Sequence, residues 1–467
     1  MNETWQDGLK RASTAGVIFY SCGDLASQFV WTFIGSYLTI FYTDIVGLAP
    51  AAAAAIMMVA RVWDAVNDPM MGAIAERTRT KMGRFRPYIA FGCPFLAVFS
   101  VLCFTHPFSG GSAMGVIWAA FTYIATGMLY TLVNIPYGAL AACMTEDAAQ
   151  RNRINASRNI GMNIGIVIVN GLSSVLMLRF SGRGAEVANS NGYLYTSVLY
   201  AIISIPCFLA VFFTSKENVM PAERGEKFSL SKTLHDLVTN KYLMIMLAIM
   251  VFGMCAQMGR IGVVVFYIMY DLGSFSLIPV IMLSPSICGI ISSLLVPTFI
   301  KKLGKRNTMV LGYIGQGLSL IAIYLMPYTN IPGIVIANGV CGFFNIAFPC
   351  SLGMLADSVD VYQLKTGVRS DGVAYATYGL AQKLGNAIGS SCGILIMSAF
   401  GYVANAQQTP QAQTGINFTV NLLPAILFFI AAAIAFFCWK LTDQEANDVR
   451  EKLRRQNGGE APEPAGL

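Results

Sequence analysis

The sequence has few charged residues and lacks the short motifs by which many enzymes are identified. Only 12% of its 467 residues are Asp, Glu, Lys or Arg, against about 25% in an ordinary soluble domain. It contains no glycine-rich phosphate loop, nucleophile elbow, zinc motif or nucleotide fingerprint. None of its eleven cysteines forms a CxxC pair, and we interpret them as small buried apolar residues. These absences predict no enzyme, no cofactor, no structural metal and no process driven by ATP on this chain.

Long hydrophobic runs are abundant instead. Hydrophobic residues make up 55% of the chain, more than a soluble globule of this length could bury. They form runs of about 20 residues between short charged segments, which is the length that crosses a bilayer. The runs predict twelve membrane-spanning helices, near residues 15–43, 49–75, 88–107, 114–144, 155–178, 194–214, 241–270, 276–300, 307–327, 331–357, 372–401 and 418–441.

Lysine and arginine are distributed unevenly between the loops. If both termini are cytoplasmic, 25 of the 31 basic residues lie on the inner face, two (Arg179 and Arg183) lie outside and four lie at membrane depth. The positive-inside rule therefore predicts a multi-pass protein of a bacterial inner membrane with both termini cytoplasmic. This topology accounts for the net charge of +7, so we expect no nucleic-acid partner. We also expect no cleavable signal peptide, because the N-terminus is short and polar.

The chain is predicted to contain two similar halves. Residues 1–214 form a six-helix N-terminal half, residues 215–240 a cytoplasmic central loop, residues 241–441 a six-helix C-terminal half and residues 442–467 a cytoplasmic tail. A basic, glycine-containing loop follows the second span of each half, at residues 76–88 and 301–308. Such a repeat fits the parallel halves of the major facilitator architecture.

Charged residues inside a span are costly and usually functional, and the second span contains several. Arg61, Asp64 and Asp68 share one helical face, with Asn67 beside them. Two carboxylates and a carboxamide could hold a small cation, or a proton on a carboxyl group whose pKa burial has raised. The alternative is an ion-pair network, Arg61 with Asp64 and Lys383 of the eleventh span with Asp68, that only holds the halves together.

The first, fourth and fifth spans contain residues suited to a sugar. Aromatic rings can stack on the apolar face of a sugar ring, and carboxylate, amide or guanidinium groups can pair with its hydroxyls. The alternative is that these side chains only pack the helices together, and that the arginine only forms a structural pair with a buried acid. The candidate residues are Asp24, Gln28, Trp31, Tyr130, Asn134 and Arg158.

Three further candidates lie in the C-terminal half. Arg260 of the seventh span either meets an anionic group of a substrate or pairs with Asp271 near the outer end of the same span. Phe348 of the tenth span and Tyr378 of the eleventh are aromatic residues at membrane depth. We include Arg260, Phe348 and Tyr378 among the substrate-binding candidates.

Several motifs of the sequence resemble the glycoside-pentoside-hexuronide:cation symporter family. The resemblance runs from about residue 13 to 445. The motifs are Tyr42-Thr43-Asp44, Ala60-Arg61, Asp64, Asn67-Asp68-Pro69, Arg79 to Pro87, Tyr130-Thr131, Asn134-Ile135-Pro136-Tyr137-Gly138, Ala356-Asp357, Asp360 and Thr366 to Arg369.

The resemblance implies a major facilitator fold and symport with sodium or a proton. It places the cation site of the family on Asp64, Asn67, Asp68 and Thr131. The family's buried lysine of the eleventh helix falls on Lys383, which together with Arg61 would couple ion and sugar. The sugar-contacting arginine of the fifth helix falls on Arg158.

The sequence also departs from the melibiose permease-like members of that family. Their first-helix lysine–aspartate pair falls on Ser27 and Gln28, their fourth-helix aspartate on Asn134, a nearby tryptophan on Gly138 and a tenth-helix tryptophan on Phe348. The site is thereby less negative, and Arg260 adds to this. An anionic sugar such as a hexuronide is then favoured, as in glucuronide-carrier-like members that share the Asn-Ile-Pro-Tyr-Gly string, although a neutral pentoside or glycoside stays compatible.

These expectations combine into one interpretation. The chain is an all-α integral membrane protein with twelve transmembrane helices in two halves, and it imports a sugar, glycoside or hexuronide by cation symport, functioning as a monomer. The first alternative is a proton-driven exporter of drug-like or peptide substrates on the same fold. A membrane enzyme acting on lipid-linked sugars and a transporter-like sensor without flux are further alternatives.

Overall fold

The computed structural model describes residues 11–219, 239–367 and 371–456, and these ranges are helical almost throughout. Within them the single strand-like feature is an isolated bridge between Thr80 and Gly83. The predicted all-α fold class is therefore confirmed. Arg369, at the end of the last family-like motif, lies outside the described residues, as does most of the predicted central loop.

Twelve helical segments, α1 to α12, follow one another along the described residues, with a further helix, α13, near the C-terminus. They are Thr14–Val46 (α1), Pro50–Arg77 (α2), Arg86–Leu102 (α3), Ala113–Met144 (α4), Ala148–Ser181 (α5), Ser190–Thr214 (α6), Lys241–Asp271 (α7), Ile278–Leu325 (α8 and α9, which meet at Gly304), Ile331–Thr366 (α10), Asp371–Ala399 (α11), Pro410–Phe437 (α12) and Asp443–Gln456 (α13).

The segments match the twelve predicted spans, although they differ in how apolar they are. Eight uninterrupted segments of the described chain are long and apolar enough to cross a membrane, with α8 and α9 counted as one. Helix α3 is apolar but shorter. Helix α2, which contains Arg61, Asp64 and Asp68, is not among the eight.

Large apolar side chains are exposed on several of these helices. Leu294, Leu325 and Phe437 are 76%, 73% and 70% exposed, respectively. Such surfaces suit contact with lipid chains better than contact with water. The chain is a multi-pass membrane protein.

Two predicted boundaries differ from the structure. The basic segment 301–308 was predicted as a loop, but it is helical apart from Gly304, whose φ of 80° leaves the helical region. Glycine adopts this conformation without the strain that a Cβ would cause, so one residue is enough to separate α8 from α9. Helix α10 is interrupted between Phe343 and Ala347, inside the span predicted as continuous.

By its internal contacts the chain divides into two compact units. The first comprises Met1–Arg224, Gly259–Ser286 and Ser390–Val420, and the second comprises Gly225–Met258, Ile287–Gly389 and Asn421–Leu467. The division of the sequence at residues 214, 240 and 441 follows chain order instead and stays a prediction.

In the first unit, α1 packs against α5 and α6, and α2 packs against α4. Two glycines of α5 set the spacing to α1. A Cβ on Gly161 would lie 2.1 Å from the carbonyl oxygen of Ser21, and one on Gly165 would lie 2.6 Å from the Cβ of Gln28. Because no side chain tolerates such distances, glycine at both positions allows α5 to lie close against α1.

The basic segments 76–88 and 301–308 have similar partners, each within its own unit. In the first unit the Glu217 carboxylate accepts hydrogen bonds from the backbone N–H groups of Arg84, Phe85 and Arg86 at 2.7, 2.7 and 3.2 Å. In the second unit the Asp443 carboxylate accepts one from the N–H of Lys305 at 2.9 Å. In both cases an acid that follows the last helix of a half neutralises a helix N-terminus.

The second unit adds an ion-pair network around Asp357, which is 2% exposed. Lys305 lies 2.5 Å from one Asp357 oxygen, and Arg450 of α13 contacts the other. Arg450 also lies 3.2 Å from Asp360. Helix α13 is thereby attached to α10.

Candidate functional site

The polar residues at membrane depth in the first unit form two clusters. We call Arg61, Asp64, Asn67, Asp68 and Thr131 the acid cluster, and Tyr20, Asp24, Tyr137 and Arg158 the arginine cluster. The acid cluster lies on α2 and α4, and the arginine cluster on α1, α4 and α5. Every member is buried or half-buried.

In the acid cluster, each carboxylate has a different kind of partner. Asp68 accepts a hydrogen bond from the Thr131 hydroxyl at 2.8 Å. Asp64 forms an ion pair with Arg61 at 3.1 Å. The cluster therefore brings two carboxylates, a carboxamide and a hydroxyl onto neighbouring faces of α2 and α4.

Two other residues shape the acid cluster. A Cβ on Gly127 of α4 would lie 3.1 Å from Asp64 Oδ1, so the carboxylate packs directly against the backbone of α4. The Asn67 side chain is 8% exposed, and its Nδ2 has no hydrogen-bond partner among the described residues. Oxygen atoms from carboxylates, a carboxamide and a hydroxyl are the ligands that a hard cation such as sodium prefers.

The predicted pair between Arg61 and Asp64 is thus present in the structure. Lys383, predicted to pair with Asp68, is half-buried on α11 of the second unit. Its pairing stays a prediction.

In the arginine cluster, Arg158 Nε lies 2.8 Å from Asp24 Oδ2. The Tyr137 hydroxyl lies 3.1 Å from the same oxygen and 2.6 Å from the Tyr20 carbonyl oxygen, and the Tyr20 hydroxyl donates to the Tyr137 carbonyl oxygen. The Tyr137 ring fits because position 23 is glycine, where a Cβ would lie 2.3 Å from the ring. The pairing of Arg158 with Asp24, weighed above as an alternative, is present in the structure.

This pairing uses only one edge of the Arg158 guanidinium. Its Nη groups have no hydrogen-bond partner among the described residues, and the side chain is 28% exposed. The guanidinium carbon lies 4.9 Å from the centre of the Tyr137 ring, which restricts its orientation. Arg158 can therefore donate further hydrogen bonds to a ligand while it stays paired with Asp24.

Trp31 and Tyr130 lie beside both clusters. Their rings stack with centroids 4.5 Å apart at 23°. The Arg61 guanidinium lies over the Trp31 ring, 4.6 Å from its centroid. Two neighbours thus already occupy part of the indole surface on which the sequence predicts a sugar ring.

The remaining first-unit candidates are Gln28, Asn134 and Arg260. The Gln28 carboxamide oxygen accepts a hydrogen bond from Thr32 at 2.6 Å, and Asn134 lies half-buried one turn after Tyr130 on α4. Arg260 lies half-buried on α7. Neither Asp271 oxygen has a hydrogen-bond partner among the described residues, so Arg260 donates no hydrogen bond to Asp271.

Phe348 and Tyr378 belong to the second unit, where their rings lie 6.0 Å apart. The Gln382 side chain donates to the Tyr378 hydroxyl at 2.9 Å. Phe348 also lines a cavity of about 30 Å³ together with Gln257, Gln316 and Asn345. These polar groups are suited to pair with hydroxyls.

Sequence reasoning missed a third polar group of the first unit, centred on Asp44 in the π-helical end of α1. Its carboxylate accepts hydrogen bonds from Thr43 at 2.6 Å, Tyr402 at 2.5 Å and Tyr270. The Asn405 side chain donates to the Asp44 carbonyl oxygen. The Tyr-Thr-Asp motif marked Asp44, but nothing local in the sequence identifies partners more than 200 residues away.

The chain is similar over most of its length to known transport proteins. A family described as MFS/sugar transport protein matches residues 19–443. The glucuronide carrier protein homolog of Escherichia coli (strain K12) is 29% identical over 451 residues, which are 94% of this chain and 96% of that protein. The isoprimeverose transporter of Lactiplantibacillus pentosus is 30% identical over 448 residues, or 94% of this chain and 91% of that protein.

Solved structures support the fold alone. A crystal structure of a D-xylose-proton symporter has a TM-score of 0.65 at 16% identity, covering 92% of this chain and 98% of that one. At this identity the match shows a shared arrangement of helices and says nothing of the substrate.

Proposed function

Because the chain belongs to the MFS/sugar transport protein family, we propose that it is a secondary active transporter that imports a sugar, glycoside or hexuronide together with a cation. The observation that carries this proposal is the pair of clusters in the first unit. One brings two carboxylates, a carboxamide and a hydroxyl together, and the other presents unused guanidinium donors. A membrane transporter of this kind, unlike an enzyme, needs no reactive group.

The acid cluster is the proposed site for sodium or a proton. Asp64, Asn67, Asp68 and Thr131 supply its oxygen atoms, and Arg61 and Lys383 are the proposed coupling residues. The support for this site is the hydrogen bond between Thr131 and Asp68, which brings α4 and α2 together at the carboxylate. Relatives whose names include a cation, such as the "Putative glycoside/cation symporter YagG" of Escherichia coli (strain K12), agree with coupling in general.

The arginine cluster is the proposed substrate site, together with Gln28, Tyr130 and Asn134. Asp24 is already neutralised by Arg158, so the unused Nη groups act as cationic donors. Two parallel N–H donors of a guanidinium match a carboxylate better than a single hydroxyl. We therefore propose an anionic sugar, a hexuronide, as the substrate class, which the named activity of the glucuronide carrier relative supports.

The proposed setting is a bacterial inner membrane with both termini cytoplasmic, and the protein is proposed to work as a monomer. The distribution of 25 basic residues inside and two outside supports this orientation. Alternating access of the major facilitator fold then exposes the site to each side in turn. A ligand shifts such an equilibrium only by binding one state better than the other.

The test is uptake into proteoliposomes of labelled methyl glycosides of glucuronic acid, glucose, galactose and xylose. A sodium gradient and a proton gradient are imposed in turn. We expect the glucuronide to accumulate against its own gradient under one of them. Asp68→Asn should still exchange sugar across the membrane but should not accumulate it.

Each contrary outcome removes a defined part of the proposal. If only neutral glycosides accumulate, the anionic substrate class is wrong and symport stands. If Asp68→Asn accumulates sugar normally, the acid cluster is not the cation site. If no sugar accumulates under either gradient, symport itself is wrong.

A further inference from the structure

Trp31 contacts Arg61 of the acid cluster on one hand and Tyr130 of the proposed substrate site on the other. The Tyr130 ring and the Arg61 guanidinium are both centred about 4.5 Å from the indole, at 4.5 and 4.6 Å. The indole is therefore in contact with both groups, and we call Arg61, Trp31 and Tyr130 the stack.

The Arg61 end of this stack is held tightly. Arg61 is 9% exposed, its Nη1 contacts Asp64 at 3.1 Å and its Nη2 donates to the Tyr123 hydroxyl at 2.8 Å. Its Nε has no hydrogen-bond partner among the described residues. The indole face compensates part of this lost solvation, because the ring quadrupole attracts a desolvated cation. Without the indole, the guanidinium is stabilised less in its position against Asp64.

The other end of the stack connects to the substrate side. Tyr130 directly precedes Thr131, which donates to Asp68, and lies one turn before Asn134 on α4. Trp31 itself lies seven residues after Asp24 on α1, so the two share a face of the helix. Ring contacts thus connect α1 and α4 to the Arg61 guanidinium.

We propose that Trp31 is a positioning residue that couples the two clusters by holding Arg61 on Asp64, and that it is not a platform for the sugar ring. The inference rests on the proposed function, since it assigns how ion and substrate sense each other. Its consequence is specific. Loss of the indole should weaken the mutual dependence of cation and substrate binding more than either affinity alone.

The experiment measures the affinity of purified protein for methyl β-D-glucuronide with and without the coupling ion, or for methyl β-D-xyloside if the uptake panel selects a neutral glycoside. Coupling between two sites typically changes an affinity about 5- to 150-fold. In Trp31→Leu we expect this factor to fall close to one, while the affinity without the ion stays near that of the wild type. Trp31→Phe keeps a flat ring over Arg61 and should retain most of the factor.

Phe29→Leu is the matched control, because Phe29 lies on the same helix and stacks on Tyr200 at 5.3 Å without a guanidinium partner. It should leave the ion dependence unchanged. The thermal unfolding midpoint of each variant shows whether it is folded. If Trp31→Leu does not fold, the comparison of Trp31→Phe with Trp31→Met replaces it.

A double-mutant cycle with Arg61→Gln tests whether Trp31 affects the coupling through Arg61. If Trp31 acts through Arg61, adding Trp31→Leu to Arg61→Gln should not reduce the ion dependence further. The inference is overturned if Trp31→Leu lowers the affinity equally with and without the ion, which is the result for a sugar platform, or if it changes nothing. If wild-type affinity itself does not depend on any cation, the proposed function fails first.

Discussion

The acid cluster and the arginine cluster contain the same pair of groups, in two different surroundings. In the acid cluster, Asp64 and Arg61 lie 3.1 Å apart, and in the arginine cluster Asp24 and Arg158 lie 2.8 Å apart. In both, an aromatic ring lies within 5 Å of the guanidinium carbon, at 4.6 and 4.9 Å from the ring centres. A buried carboxylate–arginine pair alone therefore does not determine what a site binds.

Two details separate the clusters. The acid cluster has a second carboxylate, Asp68, whereas the arginine cluster is neutral as a pair. The Arg61 side chain is 10% exposed and uses both Nη groups within the protein, whereas Arg158 is 28% exposed and uses only Nε. The second carboxylate and the number of unused N–H groups are thus the features that separate the proposed cation site from the proposed substrate site.

The largest expected effect comes from removing the guanidinium of the arginine cluster. Arg158→Ala leaves Asp24 buried without its cation, and breaking a buried pair from one side typically costs about 3–5 kcal/mol. We expect a lower unfolding midpoint. Loss of two hydrogen bonds to a charged substrate group, about 1.5–3 kcal/mol each, should also lower uptake by at least about a hundredfold at about 1.4 kcal/mol per factor of ten. The measurement is initial uptake of the panel sugar together with thermal unfolding.

Arg158→Lys separates binding from stability. A lysine can still neutralise Asp24, but it lacks the parallel donors of the guanidinium. Its unfolding midpoint should lie near that of the wild type while uptake stays low. Wild-type uptake by Arg158→Lys would show that the unused Nη groups do not bind the substrate.

A smaller effect is expected from the hydroxyl that distinguishes the acid cluster. Thr131→Val keeps the shape of a side chain that is 5% exposed, but it removes the hydrogen bond to Asp68. Hydrogen bonds to charged groups contribute about 1.5–3 kcal/mol. The cation concentration for half-maximal uptake should therefore rise about tenfold or more, by the same conversion of about 1.4 kcal/mol per decade.

Thr131→Ser retains the hydroxyl and should behave as the wild type in the same titration. Sugar affinity measured without the ion should not change in either variant. An equal loss of sugar affinity with and without the ion in Thr131→Val would place Thr131 in the substrate site and would erase the distinction between the clusters.

Local spacing explains which parts of these clusters could be predicted from the sequence. The pair of Arg61 with Asp64 follows from a spacing of three residues on one helix, and the helices themselves follow from hydrophobic runs. The pair of Arg158 with Asp24 spans 134 residues and could only be weighed as one alternative. It depends on Gly161 and Gly165, whose role in bringing α5 against α1 appears only once the helices are packed.

The same limit applies to residues with several equally suitable partners. The sequence places Trp31 on one face with Asp24 and Gln28, and it cannot show that Arg61 and Tyr130 both lie against the indole. It also marks Asp44 but not Tyr270 and Tyr402, which reach it from distant parts of the chain. Contacts between helices are set by rotation and depth, which a hydrophobic pattern constrains weakly.

The smallest expected effect concerns the packing of the acid cluster against α4. Gly127→Ala adds a methyl group 3.1 Å from Asp64 Oδ1, so the carboxylate must move by a few tenths of an ångström. The Asp64 pair with Arg61 should loosen without breaking, and the half-maximal cation concentration should rise about threefold, or roughly 0.7 kcal/mol. Gly35→Ala, where an added Cβ meets nothing within 4 Å, is the matched control and should leave the titration unchanged. Gly127→Ala could instead raise the substrate concentration for half-maximal uptake and leave the cation concentration unchanged. Asp64 would then serve the substrate, and the two clusters would be one site.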